Sequence, residues 1–255
     1  MPEISRFAVV EPSAELADDV RVGPFSYIGP AVRIGPGCVI QSSVTVVGRT
    51  TLGQNNHVFP MAVIGAADRT PDDPGQVIIG DANAIREHVT IHAGRDKPTR
   101  IGNDNLIMIA CQIGAGSTIG DHGIFANCTQ VGSGACVEDY VRTSAFIVVR
   151  PGVKVGAYTF TLGYTEIDRD APPFAMVQGS PFRVRGANTE NLRRCGFGAG
   201  DIHALKGAFR ELFNGTSDWV SEDALRELLA GAKGNPYVRQ LAEAVRDAQG
   251  RKERP

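Results

Sequence analysis

From residue 101 to residue 119 the chain reads Ile101-Gly102-Asn103-Asp104-Asn105-Leu106-Ile107-Met108-Ile109-Ala110-Cys111-Gln112-Ile113-Gly114-Ala115-Gly116-Ser117-Thr118-Ile119. Ile101, Ile107, Ile113 and Ile119 fall six apart, and glycine follows three of them. A period of six matches neither the 3.6 of a helix nor the simple alternation of a long strand. It fits a prism in which each hexad is a short strand plus a corner. Three hexads close one triangular coil, and the aliphatic residues point into a shared interior.

The rhythm continues in both directions from this stretch. Upstream it includes Val10, Leu16, Val22, Ile28, Ile34, Ile40, Val46, Leu52, Val58 and Ile64, then Ile79, Ile85 and Ile91; downstream it runs through Phe125, Val131, Val137, Thr143, Val149, Val155, Thr161 and Ile167. Twenty-five such registers predict roughly eight coils, stacked as parallel strands at ~4.8 Å into a column about 40 Å long. Gly, Asn and Asp near the corners are expected to supply the backbone freedom that turns need.

Two interruptions break the period. The polar, Pro-rich run from Ala66 to Gln76 is expected to protrude, giving a loop excursion over 65–78. Asp96-Lys97-Pro98-Thr99-Arg100 adds four residues and reads as a small surface insertion. Beyond Asp170-Ala171-Pro172-Pro173 the hexads stop and helical signals follow. Ile202, Leu205, Phe209, Leu212 and Phe213 form a 3.6-period stripe; Ser221 precedes a helix with Leu225, Leu228 and Leu229; Asn235-Pro236 is a cap with Pro at the first helical position. The expected organisation is a β-helix over 1–185 and a domain of three helices over 186–255, its last five residues frayed.

Composition narrows the function. With 26 Lys+Arg against 28 Asp+Glu among 255 residues there is no basic field for nucleic-acid phosphates, and 42% apolar residues exclude disorder. No apolar run reaches the ~18–20 residues of a membrane span, and the N-terminus lacks a signal-peptide layout. A cytoplasmic protein is expected. Cys38, Cys111, Cys128, Cys136 and Cys195 are an odd set without CxxC spacing and read as buried free thiols.

Longer segments carry a resemblance. The hexads, Ile85-Arg86-Glu87-His88-Val89-Thr90-Ile91-His92, Gly102 to Ile109, Asp170 to Pro173, and Asn188-Thr189-Glu190-Asn191-Leu192-Arg193-Arg194 before Gly196-Phe197 resemble the UDP-N-acetylglucosamine O-acyltransferases that begin lipid A synthesis. This resemblance implies a left-handed parallel β-helix of hexapeptide repeats with a C-terminal α-helical domain. It also implies a homotrimer with inter-subunit clefts, and transfer of a 3-hydroxyacyl chain from acyl carrier protein to a nucleotide-sugar hydroxyl. No metal or organic cofactor is implied. Small residues on the prism faces, among them Ala110, Gly114, Ala115 and Ala126, leave room for side-by-side packing.

Against the family pattern the cleft departs at four places. Where the family reads approximately His-Ile-Ala-His, this chain reads Gln112-Ile113-Gly114-Ala115, so Ala115 stands at the catalytic histidine. A later His-Gln pair corresponds to Arg150-Pro151, and another pocket histidine to Gly134. A methyl group cannot accept a proton, and loss of a positioned base typically costs about 10²–10⁴ in rate. Discounting the four-residue insertion, residues 18 apart stack, so His92, Gly114, Gly132 and Arg150 form one column. The candidate catalytic residues are therefore His92, which either lines the pocket or replaces the base, and Gln112. His88 stacks with Ala110, Cys128 and Phe146 and reads as structural, as does Cys128; His122 reads as a surface residue.

The resemblance also suggests substrate contacts from Asn188, Glu190 and Arg194, although the second arginine of the family's pair is Cys195. Arg150 either binds a phosphate or carboxylate or pairs with a neighbouring acid. Gamma-class carbonic anhydrases share the prism and bind zinc through three histidines; here only His92 resembles one, so no metal site is expected. Three readings follow: an acyltransferase with altered or weakened catalysis, a divergent homologue with another substrate or reaction, and a non-catalytic trimeric scaffold.

Overall fold

A computed structural model describes residues 1–67, 75–213, 220, 222–231 and 234–252. Two-residue strands recur every six residues and build three parallel sheets that share one interior, a parallel β-helix of about nine coils. Its first strand is Glu3–Ile4, one hexad before the expected start, because Ile4 precedes Val10 by six residues. Paired residues lie 18 apart, as in Glu3↔Arg21 and Gln112↔Gln130. The separation becomes 27 at His57↔Ala84 and 22 at Thr90↔Gln112, where the two insertions enter.

The first excursion is narrower than 65–78. Ala66 and Ala67 continue the strand Val63–Ala67 beside His92 and Ala93, and Gln76 pairs with Arg49. Small apolar side chains let the strand run on; Asp68 to Pro74 lie outside the described residues. The second insertion forms a short turn between the strands Thr90–Ala93 and Thr99–Ile101.

Inside the column the hexad residues are sealed from water, from Ile28 through Ile91, Ile107 and Ile113 to Ile167. Every buried aliphatic of this kind stabilises the fold by ~1.5–3 kcal/mol relative to exposure. Along one inner edge runs a ladder of amides. Asn83 donates through Nδ2 to Asn56 Oδ1 at 3.0 Å and to the Gly102 carbonyl at 2.9 Å, while its own Oδ1 accepts from Asn105.

The corners differ from the expectation of Gly, Asn and Asp. Fifteen of the described non-glycine residues have positive φ, among them Phe25, Met61, His88, Cys128, Phe146, Tyr158 and Tyr164. The left-handed conformation costs such residues roughly 1–2 kcal/mol each. Repetition offers compensation, because each corner side chain lies over the next. His122, Tyr140, Tyr158 and Phe174 stack with centroids 4.6, 4.8 and 5.7 Å apart, and Phe146 stacks on Tyr164 at 5.2 Å. The third corner does use glycine, at Gly116, Gly134 and Gly152.

After Ala175–Gln178 the strand Arg183–Ala187 returns antiparallel, and among the described residues four helices follow rather than three. The unexpected one is α1, Thr189–Arg194, a single turn and a half held by the caps described below. Helices α2, Ala199–Leu212, α3, Glu222–Gly231, and α4, Pro236–Lys252, bury the expected stripe of Ile202, Leu205, Phe209 and Leu212. Asn235 caps α4 by accepting from the Tyr237 and Val238 amides at 3.0 and 3.1 Å. Ser221 and residues 253–255 lie outside the described residues, whereas α4 continues through Arg251 to Lys252 instead of fraying there. All five cysteines are free, but only Cys38 and Cys111 are buried; Cys128, Cys136 and Cys195 are half-buried.

Candidate functional site

Strand register fixes which residues share a face. Ile91, Ile113, Val131 and Val149 pair in succession, so His92, Gly114, Gly132 and Arg150 follow them in one column. At Gly114 and Gly132 a Cβ would come within 2.5 Å of the next coil's backbone nitrogen, which requires glycine there. Three coil spacings of ~4.8 Å separate His92 from Arg150 by about 14 Å along the axis.

His92 and Gln112 are brought together. Gln112 Nε2 lies 3.3 Å from His92 Nε2, while Nδ1 of the same ring is buried without a partner among the described residues. The backbone is strapped at this point: Thr99 donates its hydroxyl to the His92 carbonyl at 2.6 Å and accepts from the Gly116 amide at 2.8 Å. Sequence reasoning passed over Thr99, whose only signal was its place in the four-residue insertion.

Ala115 is half-buried at the beginning of the glycine corner, and its carbonyl accepts from the Gly134 amide at 2.9 Å. A Cβ built at Gly134 or at Gly152 would meet nothing within 4 Å. The strip from Ala115 past Gly134 to Gly152 thus presents backbone and methyl, without a titratable group of its own.

Arg150 pairs with an acid. Its Nε donates to Glu166 Oε1 at 2.6 Å, and Ser180 donates its hydroxyl to Glu166 Oε2 at 2.6 Å. Those two bonds, the serine's first and then the arginine's, hold the Glu166 carboxyl below the usual carboxylate range. Glu166 was missed because the acid and its partner are 16 residues apart, adjacent only after a coil has closed.

Asn188, Glu190 and Arg194 occupy a different corner. Asn188 is the N-cap of α1: its Oδ1 accepts from the Asn191 amide at 3.4 Å and its Nδ2 donates to the Tyr158 carbonyl at 2.9 Å. With both ends of its amide engaged and 5% exposure, this side chain serves the fold in the single chain rather than presenting itself to a ligand. Asn191 donates to the Tyr140 carbonyl at 3.1 Å, which ties α1 to the Tyr140–Tyr158 corner. Glu190 accepts from Arg193 at 3.2 Å and from Arg194 at 3.1 Å, on the exposed side of α1.

A cavity of about 550 Å³ lies between the last coils and the helices, lined by Pro151, Lys154, Arg169, Phe182, Phe213 and Val245 among others. Two of its cations are paired, Lys154 with Glu138 at 2.5 Å and Arg169 with Asp168 at 2.9 Å, while Arg183 and Arg185 also line it and are exposed. It shares Pro151 and Gly152 with the glycine corner but includes neither His92 nor Gln112, so the polar chemistry lies elsewhere. Among the described residues no three His, Cys, Asp or Glu side chains converge as a metal site.

Comparison with known proteins gives this arrangement its setting. Residues 170–253 match the family described as UDP N-acetylglucosamine O-acyltransferase, domain 2, and residues 13–48 match the bacterial transferase hexapeptide family. The acyl-[acyl-carrier-protein]–UDP-N-acetylglucosamine O-acyltransferase of Saccharophagus degradans is 42% identical over 247 residues, covering 94% of each chain. The enzyme of that name from Stutzerimonas stutzeri is 38% identical over 246 residues, 93% of this chain and 94% of its own. The chain belongs to the UDP-N-acetylglucosamine O-acyltransferase family. The solved UDP-N-acetylglucosamine acyltransferase of Francisella novicida superposes with a TM-score of 0.87 at 30% identity, covering 94% of this chain and 90% of that one. An O-acyltransferase fold is therefore present over the solenoid and the helices alike. Within it, this member presents the His92–Gln112 pair and a bare glycine corner.

Proposed function

We propose that the protein transfers an acyl group from a 3-hydroxyacyl carrier protein to a hydroxyl of a UDP-N-acetylglucosamine-like nucleotide sugar, with weakened proton abstraction at Ala115. Full-length identity of 38–42% to enzymes named for that acyl transfer is the observation that supports it. His92 is the residual proton acceptor in this reading, and Gln112 orients its ring. His92 works below the capacity of a base placed at residue 115, because the Gln112 amide occupies one ring nitrogen and the other is buried.

The active unit in this reading is a homotrimer in the cytoplasm. Within one chain α1 rests on the Tyr140–Tyr158 corner, whereas Ala115 begins the glycine corner; in this reading Glu190 and Arg194 come to the Ala115 site from a second copy. A further corner carries exposed apolar side chains, Phe25, Met61, Phe146 and Tyr164, a stripe suited to burial between copies. No helix among the described residues is long and apolar enough to cross a membrane. Arg150 serves in this reading as a reserve cation of the cleft, held by Glu166 until substrate arrives.

The test is thiol release from 3-hydroxyacyl carrier proteins of several chain lengths in the presence of UDP-N-acetylglucosamine. Release above the no-enzyme blank is expected; a rate equal to the blank at every chain length overturns the reading. A second reading, another acceptor in the same cleft, is favoured by the open space at Gly134 and Gly152. It predicts that a bulkier nucleotide sugar outpaces UDP-N-acetylglucosamine. A scaffold without chemistry predicts that no nucleotide sugar raises the melting temperature.

A further inference from the structure

Arg142 begins the strand Arg142–Thr143, two residues after the Tyr140 corner to which Asn191 binds. Asn191 in turn accepts from the Cys195 thiol, Sγ to Oδ1 3.7 Å. Arg142 therefore lies at the foot of α1, on the same side as Cys195. Burial pushes the Cys195 thiol upward, and the nearby Arg142 charge opposes that shift.

The charge state of this neighbourhood is unusual for the molecule. Arg193 and Arg194 share Glu190, Arg150 has Glu166, Lys154 has Glu138, and Arg169 has Asp168. Arg142 is half-buried, yet among the described residues no carboxylate accompanies it, and its Nε is fully buried without an acceptor. Only Nε is sealed from water, so the half-buried guanidinium keeps N–H donors that an anion can engage, and burying its charge further is costly without one. The planar fork suits phosphoryl oxygens better than any other common biological anion except carboxylate.

We propose that Arg142 is a phosphoryl-anion ligand of the substrate site along α1, supplying from the β-helix the guanidinium that residue 195 of the helix lacks. The inference rests on the reading above, in which both substrates carry phosphate: the diphosphate of the nucleotide sugar and the phosphodiester of the carrier's pantetheine arm. Either source presents the same chemistry to the side chain.

Isothermal titration of the full chain with UDP, inorganic pyrophosphate and 4′-phosphopantetheine tests it. Arg142→Met is expected to weaken binding at least tenfold for UDP and pyrophosphate if the diphosphate is the ligand, or for phosphopantetheine if the carrier arm is. Arg142→Lys should retain part of the affinity, and adding Cys195→Arg to Arg142→Met should recover it. Without ligand, Arg142→Met should melt no lower than wild type, because an unpaired charge has been removed. Unchanged affinity for all three ligands, or a ligand-free variant that melts several degrees lower or changes its oligomeric state, overturns the proposal. Wild type that binds pyrophosphate through Arg142 but neither UDP nor phosphopantetheine leaves the anion site standing and sinks the acyltransfer reading. Wild type that binds none of the three sinks both.

Discussion

The side-chain amide of Gln112 meets the ring of His92 at 3.3 Å, Nε2 to Nε2. With the amide donating, the Nε2 lone pair is occupied and the ring proton resides on the buried Nδ1, which has no acceptor. The pair thus orients the imidazole while masking the nitrogen that faces outward. Gln112→Ala is expected to raise kcat by about tenfold, part of the ~10²–10⁴ that a positioned base provides. His92→Ala should remove the residual turnover. If kcat is unmoved by both substitutions, His92 takes no part in the proton transfer.

Restoring the imidazole at residue 115 is a more direct probe. Ala115 is half-buried, and the Gly134 corner beside it has open space, so a larger side chain fits without displacing backbone. Ala115→His is expected to raise the rate of thiol release by about 10²-fold or more, and addition of Gln112→His to increase it again. No gain from the double variant, measured with UDP-N-acetylglucosamine and matched acyl chains, would mean that the acceptor has changed along with the base.

The repeat was legible because its cause is local: Ile101, Ile107, Ile113 and Ile119 all face one interior, and six-residue spacing brings successive sides of a three-sided coil to it. The column of His92, Gly114, Gly132 and Arg150 followed from the same arithmetic. Partnerships across coils were not legible. Glu166 reaches Arg150 only when one turn closes, and Asn188 caps α1 through Asn191 while reaching 30 residues back to Tyr158. Aromatic corners were missed for a related reason. Tyr140 and Tyr158 pay a local conformational penalty that only their stacking on each other, 18 residues apart, offsets.

Glu166 gives the molecule a pH-dependent contact. Its folded-state carboxyl titrates below the ordinary value of about 4.3. The contribution is therefore fully present above that ordinary value and disappears as pH falls through the lower, folded-state one. Melting temperature followed from pH 7 downward should drop more steeply for wild type than for Glu166→Gln below about pH 4.3. Coincident slopes would remove the Glu166–Ser180–Arg150 cluster from the list of acid-labile contacts. The same substitution frees Arg150, so it should also tighten binding of UDP if that side chain is a reserve cation.

Cys111 should be inert toward thiol reagents. It is buried in the column, and burial pushes its thiol up to about 11. At pH 8 it is therefore expected to escape alkylation by iodoacetamide in the folded protein and to react once urea unfolds the chain, as mass spectrometry of the Cys111 peptide would record. Labelling of Cys111 at the rate of the half-buried Cys128 would show that the coil opens without global unfolding.

The amide ladder tests how much the interior depends on polar satisfaction. Asn83 is 1% exposed, and its side chain answers Asn56, Asp81, Gly102 and Asn105 at once. Asn83→Ala leaves several buried partners without a mate, each at ~1–3 kcal/mol, and adds a small cavity. A loss of about 3–5 kcal/mol in urea unfolding is expected on that basis. Asn103→Ala, on the outside of the next coil where Nδ2 meets the half-exposed Asp121 at 3.1 Å, should cost about 1 kcal/mol or less. Equal losses at the two positions would mean that water reaches the inner ladder and that the hexad core is not sealed there.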